Sequence, residues 1–311
     1  MSRNHTSPKR ILSPIVLLDS LSYGEHSILY ENPVSIIECC HSRHVDTALE
    51  EINQALSEGF HAAGFFSYEL GYLLEPKLCS LIPENRKIPL IWMGLFREPK
   101  QLNHAECRNF IGSRANTEYS VDQLRLTLDR FEYLEAVDRV KSYIEAGDVY
   151  QINFTFKYLF ELIGNPWSLY TDLRRRQRAT HAAFIETRDF DILSLSPELF
   201  VHTENDNAKV RPMKGTATRG LTSDQDEKHR IWLSTDEKSR AENLMIVDLL
   251  RNDLGRVAET GSVKVRELFS VETYPTLHQM TSTVTAKLRD DITTSDLIRN
   301  LFPCGSITGA P

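Results

Sequence analysis

Cysteine is scarce in this sequence and follows no pattern that would support a disulfide framework or a zinc site. The five cysteines are odd in number, widely spread, and include no C-x-x-C pair: Cys39, Cys40, Cys79, Cys107 and Cys304. Small disulfide-rich domains and structural zinc sites both need regularly spaced or paired cysteines. The sequence therefore predicts neither, and it fits the reducing environment of the cytoplasm.

The sequence also lacks a long apolar run and an excess of positive charge. No stretch approaches the roughly 20 apolar residues that a helix needs to cross a bilayer. The formal net charge is −7, whereas nucleic-acid binders usually concentrate positive charge. The one basic cluster, Arg174, Arg175, Arg176 and Arg178, has no interleaved aromatic residues, so we interpret it as the solvated end of a helix. We expect neither a membrane nor a nucleic-acid partner.

The 311 residues are enough for one large domain or two, and they include strong helical patterns. Apolar residues recur at helical spacing over residues 122–146, and Gly147 would end that helix. The apolar positions are Leu124, Leu128, Phe131, Leu134 and Val137. Helical spacing returns over residues 224–254.

Extended patterns lie between and after these helices. Residues 182–186 and 192–201 read as a hairpin, a loop covers 203–208, and KVRPMKGT is a third extended piece. Residues 262–288 are again extended, and the run IVLLD at the start is interpreted as a strand. Because strands follow one another before they meet helices, we predict an α+β fold of stacked antiparallel β-sheets flanked by helices rather than a parallel array.

The stretch RPMKGTATRG places Lys214 where the chain has little freedom, between Pro-Met and Gly-Thr. Glycine at the next position permits a turn or a close approach of the backbone to a ligand. Two interpretations are open from the local sequence. Lys214 is either a nucleophile in a site or a surface lysine in a hairpin turn, as most lysines are exposed.

The helix in SRAENLMIVDLLRNDLG carries two carboxylates on one predicted face, with Glu242, Ile246, Leu249 and Asp253 aligned at 100° per residue. At 1.5 Å per residue the two acids lie about 16 Å apart, too far to share one metal ion. Glu242 could pair with Lys238 or Arg240, and Asp253 could make a hydrogen bond or salt bridge at the helix end.

Several segments together resemble the chorismate-utilising enzymes, the family of anthranilate, isochorismate and aminodeoxychorismate synthases. These segments occur in the family's order: SLSPELF, RPMKGTATRG, AENLMIVDLLRNDLGRV, VETYPTLHQMTSTV and LFPCGSITGAP. GFFSYELGY and AGDVYQINFTF extend the resemblance over nearly the whole chain. Lys214 and Asn243 are typical of the aminodeoxychorismate branch, whereas anthranilate synthases usually have Ala and His at these positions.

The resemblance implies a site and a reaction. Lys214 would add its ε-amine to C2 of chorismate as the C4 hydroxyl leaves, and ammonia would then attack C4 and expel the lysine. Glu198 matches the family's general acid, and His278 matches an active-site histidine near the departing group. The implied substrate contacts are Gly215, Thr216, Gly305, Ser306, Thr308 and Gly309.

The resemblance also implies Mg²⁺, with Glu242 as one ligand, and ammonia from a glutamine amidotransferase subunit. The nucleophile must be a neutral amine, so its pKa must be lowered by burial or by nearby positive charge; Arg211 and Arg219 are close in sequence. The segment VLLDS resembles the part of related synthases that carries a tryptophan pocket, where Ser20 would match, but we favour an ordinary edge strand.

We divide the chain into an N-terminal region, residues 1–115, and a chorismate-binding catalytic region, residues 116–311. Family members continue past GSITGA, so we expect the C-terminal part of the fold to be missing from this chain and sheet edges to be exposed. Two alternatives to aminodeoxychorismate synthesis remain. The chain could have anthranilate synthase activity, against which Lys214 counts, or it could only bind the amidotransferase subunit without turnover.

Overall fold

A computed structural model describes residues 13–21, 26–177 and 179–310 of the chain. The strands are β1 Ile15–Asp19, β2 Ser27–Glu31, β3 Ser35–Cys39, β4 His61–Phe66, β5 Ile91–Phe96, β6 Lys100–Leu102, β7 Tyr119–Leu126, β8 Gln151–Ile152, β9 Tyr158–Gly164, β10 His181–Glu186, β11 Asp191–Ser196, β12 Leu199–Glu204, β13 Asn207–Arg211, β14 Met213–Thr218, β15 Lys264–Thr273, β16 Leu277–Lys287 and β17 Gly309–Ala310. The helices are α1 Val45–Ser57, α2 Gly71–Leu74, α3 His104–Arg114, α4 Arg130–Ala146, α5 Pro166–Arg176, α6 Ser223–Thr235, α7 Glu237–Gly255, α8 Thr294–Leu301 and α9 Gly305–Thr308.

The chain forms two compact units that alternate along the sequence. Unit 1 comprises Met1–Asn116, Pro166–Pro197 and Thr293–Ser295, and unit 2 comprises Thr117–Asn165, Glu198–Ile292 and Asp296–Pro311. The strand pairs among the described residues are antiparallel, which confirms the predicted α+β class. The division at residue 115 into an N-terminal and a catalytic region stays a prediction.

Unit 1 contains a five-stranded sheet in the order β11-β10-β1-β2-β6 and a three-stranded sheet in the order β3-β5-β4. The predicted strand at IVLLD is confirmed as β1, but the expectation of an edge strand is wrong, since β1 lies at the centre of its sheet between β10 and β2. Four of its five side chains, the apolar Ile15, Val16 and Leu17 and the charged Asp19, are buried on the two faces. Burial on both faces, rather than an edge, explains the continuous apolar run.

A buried ion pair joins α5 to the end of β1 in unit 1. Arg174 donates to both carboxylate oxygens of Asp19, at 2.5 and 3.0 Å, and the Asp19 side chain is fully buried. Ser27 and Tyr170 donate to the same carboxylate at 3.0 Å each. Burial alone would raise the pKa of Asp19, but the hydrogen bonds and charge of Arg174 bring it below its ordinary value.

The same pair corrects the interpretation of the basic cluster at Arg174, whereas Arg175 and Arg176 are exposed in the last turn of α5, as predicted. Arg174 is not a solvated helix end but the partner of a buried carboxylate, and Arg175 pairs with Asp172 on its own helix. Arg178 lies outside the described residues. Sequence spacing alone could not pair Arg174 with Asp19, because the two residues are 155 positions apart.

Unit 2 is built on a sheet in the order β12-β13-β16-β14, to which β15 adds by pairing with β16. The predicted extended region 262–288 is confirmed as the β15–β16 hairpin. The predicted loop 203–208 is confirmed only at residues 205–206, the tight turn between β12 and β13, because Thr203 and Glu204 pair with Ala208 and Asn207 in the two strands. Helix α7 packs against β14 and β16. Its apolar side chains and those of β13 and β16 form one buried core, which includes Val210, Leu250 and Val284.

The predicted helix over 122–146 is confirmed only from residue 130. Residues 119–126 instead form β7, which pairs with β9, so Leu124 and Leu128 are not on the helix. Asp129 is the N-cap and forms a reciprocal capping box with Glu132, a start signal that apolar spacing alone does not reveal. The predicted stop is confirmed, because Gly147 has a left-handed conformation with φ 78°.

Prolines break two segments that the sequence pattern joined. The extended piece 192–201 is two strands, β11 and β12, separated at Pro197, and KVRPMKGT is likewise divided at Pro212 into β13 and β14. A proline has no N–H to donate to a sheet, so a strand cannot pair through it. Residues 182–186 and 192–196 do form the predicted hairpin.

Helical residues 224–254 are confirmed as α6 and α7, but the buried face of α7 differs from the predicted one. The buried residues are Ser239, Asn243, Ile246, Val247, Leu250 and Leu254. Glu242, Leu249 and Asp253 are therefore only half-buried, at the margin of the stripe. Burial still raises the pKa of Asp253, and the charge of Arg256 lowers it.

Helix α4 is amphipathic in sequence but has no buried residue within the described part of the chain. Its Phe131 is 75% exposed and its Leu134 is 48% exposed. Tyr133 contacts Phe154 and Phe156, with ring centroids 5.9 and 5.7 Å away. Apolar exposure is therefore concentrated in the segment that contains α4 and β9.

Among the described helices, none has the length and apolarity to cross a membrane.

Substitution of Asp19 by Asn should destabilise unit 1 by about 3–5 kcal/mol, because it leaves Arg174 buried without its counter-charge. Denaturant unfolding would measure the loss, with Asp172→Asn as the matched control at the exposed Arg175 pair, where about 0–1 kcal/mol is expected. Since the pKa of Asp19 is lower in the folded chain, its contribution is present above the unfolded value near 4 and is lost as the pH falls through the folded value. Equal effects of the two substitutions would contradict this prediction.

Candidate active site

A β-bulge in β14 positions Lys214. Met213 stands opposite Thr281 on β16 and Thr216 opposite Gln279, so Lys214 and Gly215 together face one residue of β16. Gly215 has φ 89°, and a Cβ there would lie 2.8 Å from the Cβ of Ser239. Bulges of this kind turn a side chain away from the regular alternation of a strand. Lys214 is thus a half-buried strand residue and not an exposed lysine in a hairpin turn.

The amine of Lys214 donates a hydrogen bond to the side-chain oxygen of Asn153 at 3.1 Å. Burial lowers the pKa of Lys214 below its ordinary value, while the negative charges of Glu198 and Glu242, and a smaller effect of Cys304, act in the opposite direction. A lowered pKa increases the fraction of neutral amine at any given pH. The neutral amine is the form that can act as a nucleophile.

The two arginines near Lys214 in sequence do not account for its lowered pKa. Arg211 pairs with Glu272, and Arg219 forms a bidentate pair with Asp226 at 2.7 Å. Each positive charge is offset by a carboxylate at close range. The physical cause of the shift is therefore burial of the amine and not a neighbouring cation.

Glu198 lies in the break after Pro197, immediately before β12. Burial raises the pKa of its carboxyl group, and hydrogen bonds from Ser306 and the backbone of Met213, with the charge of Lys214, lower it in part. The net effect is a carboxyl group that holds its proton to higher pH than an exposed glutamate does. A carboxyl group that keeps its proton to higher pH is suited to act as a general acid.

The predicted substrate loop is a short helical turn, α9, followed by β17. Ser306 is buried and contacts Glu198, which brings the loop to the acid–lysine pair. Gly309 has φ 129°, and a Cβ there would lie 2.4 Å from the backbone oxygen of Gln151 on β8. The structure thus brings Lys214, Glu198 and the turn Gly305–Thr308 together. Thr216 instead donates its hydroxyl to Gln279 on β16 at 2.9 Å.

Glu242 is half-buried on α7 at the margin of this group. Its carboxylate lies 3.9 Å from the amine of Lys238, one of the two pairings expected from sequence, whereas Arg240 stacks over Phe269 at 4.7 Å. Among the described residues, no group of three or more His, Cys, Asp or Glu could hold a metal ion. Glu242 can still act as a single Mg²⁺ ligand, because Mg²⁺ is commonly held by one or two carboxylates with substrate and water completing its shell.

His278 is buried on β16, opposite Ala217 of the strand that carries Lys214. One ring nitrogen is 2.9 Å from Asp226 and the other is 3.0 Å from the hydroxyl of Thr273. Both nitrogens therefore have protein partners. Asp226 also accepts hydrogen bonds from Arg219, and these hold the pKa of Asp226 below its ordinary value. Sequence reasoning missed Asp226, because its partners are 7 and 52 positions away.

Comparison with known proteins agrees with this fold and these motifs. The model of a family described as chorismate binding enzyme matches residues 17–311. The chain is 38% identical over 267 residues to aminodeoxychorismate synthase component 1 of Escherichia coli K12, which covers 80% of this chain and 59% of that protein. It is 30% identical over 314 residues to chloroplastic anthranilate synthase alpha subunit 1 of Oryza sativa subsp. indica, which covers 85% of this chain and 54% of that one.

A solved structure extends the likeness to three dimensions. The crystal structure of anthranilate synthase component I from Streptococcus pneumoniae TIGR4 covers 100% of this chain and 78% of its own, with a TM-score of 0.75 and 22% identity, a level at which the likeness concerns the fold. The chain belongs to the chorismate binding enzyme family. It spans less than two thirds of the length of the curated relatives described here.

Lys214 should react with an amine-directed reagent at lower pH than an exposed lysine, because burial lowers its pKa. Lys238, which is 84% exposed, is the internal reference in the same chain. Labelling over a pH series, read by peptide mass spectrometry, would give both midpoints. Glu198→Gln should lower the Lys214 midpoint further, since it removes a negative charge that favours the ammonium form. A Lys214 midpoint equal to that of Lys238 would contradict the prediction.

Proposed function

We propose that this chain carries the chorismate-aminating activity of an aminodeoxychorismate synthase, converting chorismate and ammonia to 4-amino-4-deoxychorismate on the route to p-aminobenzoate and folate. The observation that carries the proposal is the pairing of Lys214, whose pKa is lowered by burial, with Glu198, whose pKa is raised by burial. A neutral amine beside a protonated carboxyl group is what a substitution of hydroxide by nitrogen needs. The named E. coli relative supports the same activity.

The first half of the reaction joins the lysine to the substrate. The neutral amine of Lys214 forms a bond to C2 of chorismate, the two ring double bonds shift, and the C4–oxygen bond breaks. Glu198 gives its proton to the departing oxygen, which leaves as water. The carboxylate that remains can accept the proton lost from the new ammonium group.

The second half releases the lysine. Ammonia attacks C4, the double bonds shift back, and the bond between C2 and Lys214 breaks. The amine leaves with a proton that the attacking ammonia has lost, so the protein returns to its starting state. Ser306 and the turn Gly305–Thr308 border Glu198 and are proposed to contact the substrate, together with Gly215, Thr216 and Gly309. His278, whose ring nitrogen is 2.9 Å from Asp226, is proposed as the catalytic histidine near the departing group.

We further propose Glu242 as this chain's ligand to Mg²⁺. When bound, Mg²⁺ supplies a positive charge that offsets the carboxylates of chorismate. Ammonia is proposed to come from a separate glutamine amidotransferase subunit in the cytoplasm. The relative's designation as component 1 supports such a partner, and the five cysteines here show no amidotransferase spacing with His and Glu.

Incubation with chorismate and Mg²⁺ without ammonia should add to Lys214 the mass of one chorismate less one water. Peptide mass spectrometry would locate the adduct, and Lys214→Ala should abolish it. Subsequent ammonia at high pH should release 4-amino-4-deoxychorismate. Release of anthranilate would favour the anthranilate synthase alternative. No adduct, with retained binding of an amidotransferase subunit, would favour a chain that binds its partner without turnover.

Glu242→Gln should raise the Mg²⁺ concentration needed for half-maximal adduct formation by about tenfold or more, because an amide is a weaker ligand than a carboxylate. Asp248→Asn, an exposed acid on the same helix, should leave that concentration unchanged. Binding of Mg²⁺ in the presence of chorismate, measured by calorimetry, gives a readout that does not depend on turnover. If both variants respond like the unsubstituted chain, Glu242 is not the ligand.

A further inference from the structure

Asn153 lies just after β8 and connects Lys214 to the turn before β17. Its side-chain nitrogen donates to the backbone oxygens of Ser306 and Ile307, at 2.8 and 2.7 Å. Its side-chain oxygen accepts the hydrogen bond from Lys214 at 3.1 Å. Its backbone N–H donates to Thr308 at 3.4 Å. One residue thus holds both the lysine and the proposed substrate loop.

The partners of Asn153 fix which way its amide faces. Two carbonyl oxygens require the NH₂ group on one side, so the amide oxygen must face the amine of Lys214. The opposite orientation would place oxygen against oxygen and donor against donor. The acceptor offered to Lys214 is therefore set by the turn and not by free rotation of the side chain.

An uncharged acceptor suits a nucleophilic amine. A neutral amine has two N–H groups and one lone pair, so donation of one hydrogen to Asn153 restricts where the lone pair points. A carboxylate in the same position would also orient the amine, but it would favour the ammonium form and raise its pKa. The charged or titratable groups that act on Lys214 are Glu198 before β12, Glu242 on α7 and Cys304 before α9.

We propose that Asn153 is the positioning residue of the nucleophile, orienting the amine of Lys214 by its hydrogen bond and coupling that orientation to the turn Gly305–Thr308. This inference rests on the proposed function for its role in turnover, but the contact itself can be tested without substrate. A movement of the turn would move the amide oxygen and hence the amine. Asn153 does not exchange a proton or form a bond to the substrate.

A purely structural clip between β8 and the turn is the competing explanation, so the test needs a readout that such a clip would not change. Asn153→Asp places a negative charge beside the amine, and we expect the labelling midpoint of Lys214 to rise by about one pH unit or more. Asn252→Asp, an exposed asparagine on α7, is the matched control and should leave the midpoint unchanged. Circular dichroism and thermal unfolding would establish that each variant folds.

Asn153→Ala tests orientation without added charge. We expect adduct formation with chorismate to slow by about a hundredfold, since a nucleophile displaced by about 1 Å commonly loses that much rate. Asn153→Gln keeps the amide but displaces it by one methylene, so it should recover only part of the rate. Saturation with chorismate separates a loss in the chemical step from weaker binding.

The outcomes separate this inference from the proposed function. A raised Lys214 midpoint in Asn153→Asp supports the contact even if no variant forms an adduct, in which case the proposed function fails alone. An unchanged midpoint, with adduct formation in Asn153→Ala as fast as in the unsubstituted chain, overturns the inference and leaves the proposed function standing. If Asn153→Asp does not fold, the rate of Asn153→Ala decides by itself.

Discussion

The candidate site depends on a single strand, β16, that pairs with three others. One edge of β16 pairs with β13 through residues 284–287 and then with β14 through residues 277–281, while β15 occupies the other edge. Pro212 separates β13 from β14, and its carbonyl accepts a hydrogen bond from Ser282 at 3.2 Å. The bulge that presents Lys214 lies just beyond this break. Helix α7, which carries Glu242, packs against β14 and β16 of the same sheet.

Burial has different consequences for two ionisable side chains, those of Asp19 and Lys214. In unit 1 the carboxylate of Asp19 is enclosed by Arg174, Tyr170 and Ser27, so its charge is matched and its contribution is to stability. In unit 2 the hydrogen bond from Lys214 goes to an uncharged amide. A buried charge with a full set of partners stays charged, whereas one held by a neutral acceptor loses its charge more easily. The second arrangement is costly for stability and useful for chemistry.

Much of the fold could be predicted from the sequence. The predictions that were wrong have local causes. The antiparallel class, the existence of helix α4 with its end at Gly147, and the β15–β16 hairpin follow from periodicity and from turn residues. Periodicity failed at residues 122–126, where part of strand β7 matches helical spacing, and it joined strands through Pro197 and Pro212. The buried face of α7 is centred closer to Asn243 than the predicted face was. Helical spacing did not separate the two faces, because buried and half-buried positions are adjacent on a helix.

The site was predictable where one motif carries it and not where distant segments meet. Lys214 and Glu198 stand in motifs that can be recognised from the sequence alone. The role of Asn153 could not be read in this way, because its contact with Lys214 spans 61 residues and its contacts with the turn span more than 150. These contacts exist only because β8 pairs with β17. Strand pairing at long range is what single-sequence patterns do not encode.

The hydrogen bond that orients Lys214 also ends on the least buried part of unit 2. Asn153 belongs to the segment that contains α4, β8 and β9, where Phe131, Tyr158 and Ile163 are exposed. Segments with few buried apolar contacts open at low free-energy cost. Lys214 is thus anchored by a rigid bulge on its backbone side and by a weakly packed segment at its amine. Asn153 therefore joins the amine of Lys214 to a segment with little buried apolar surface.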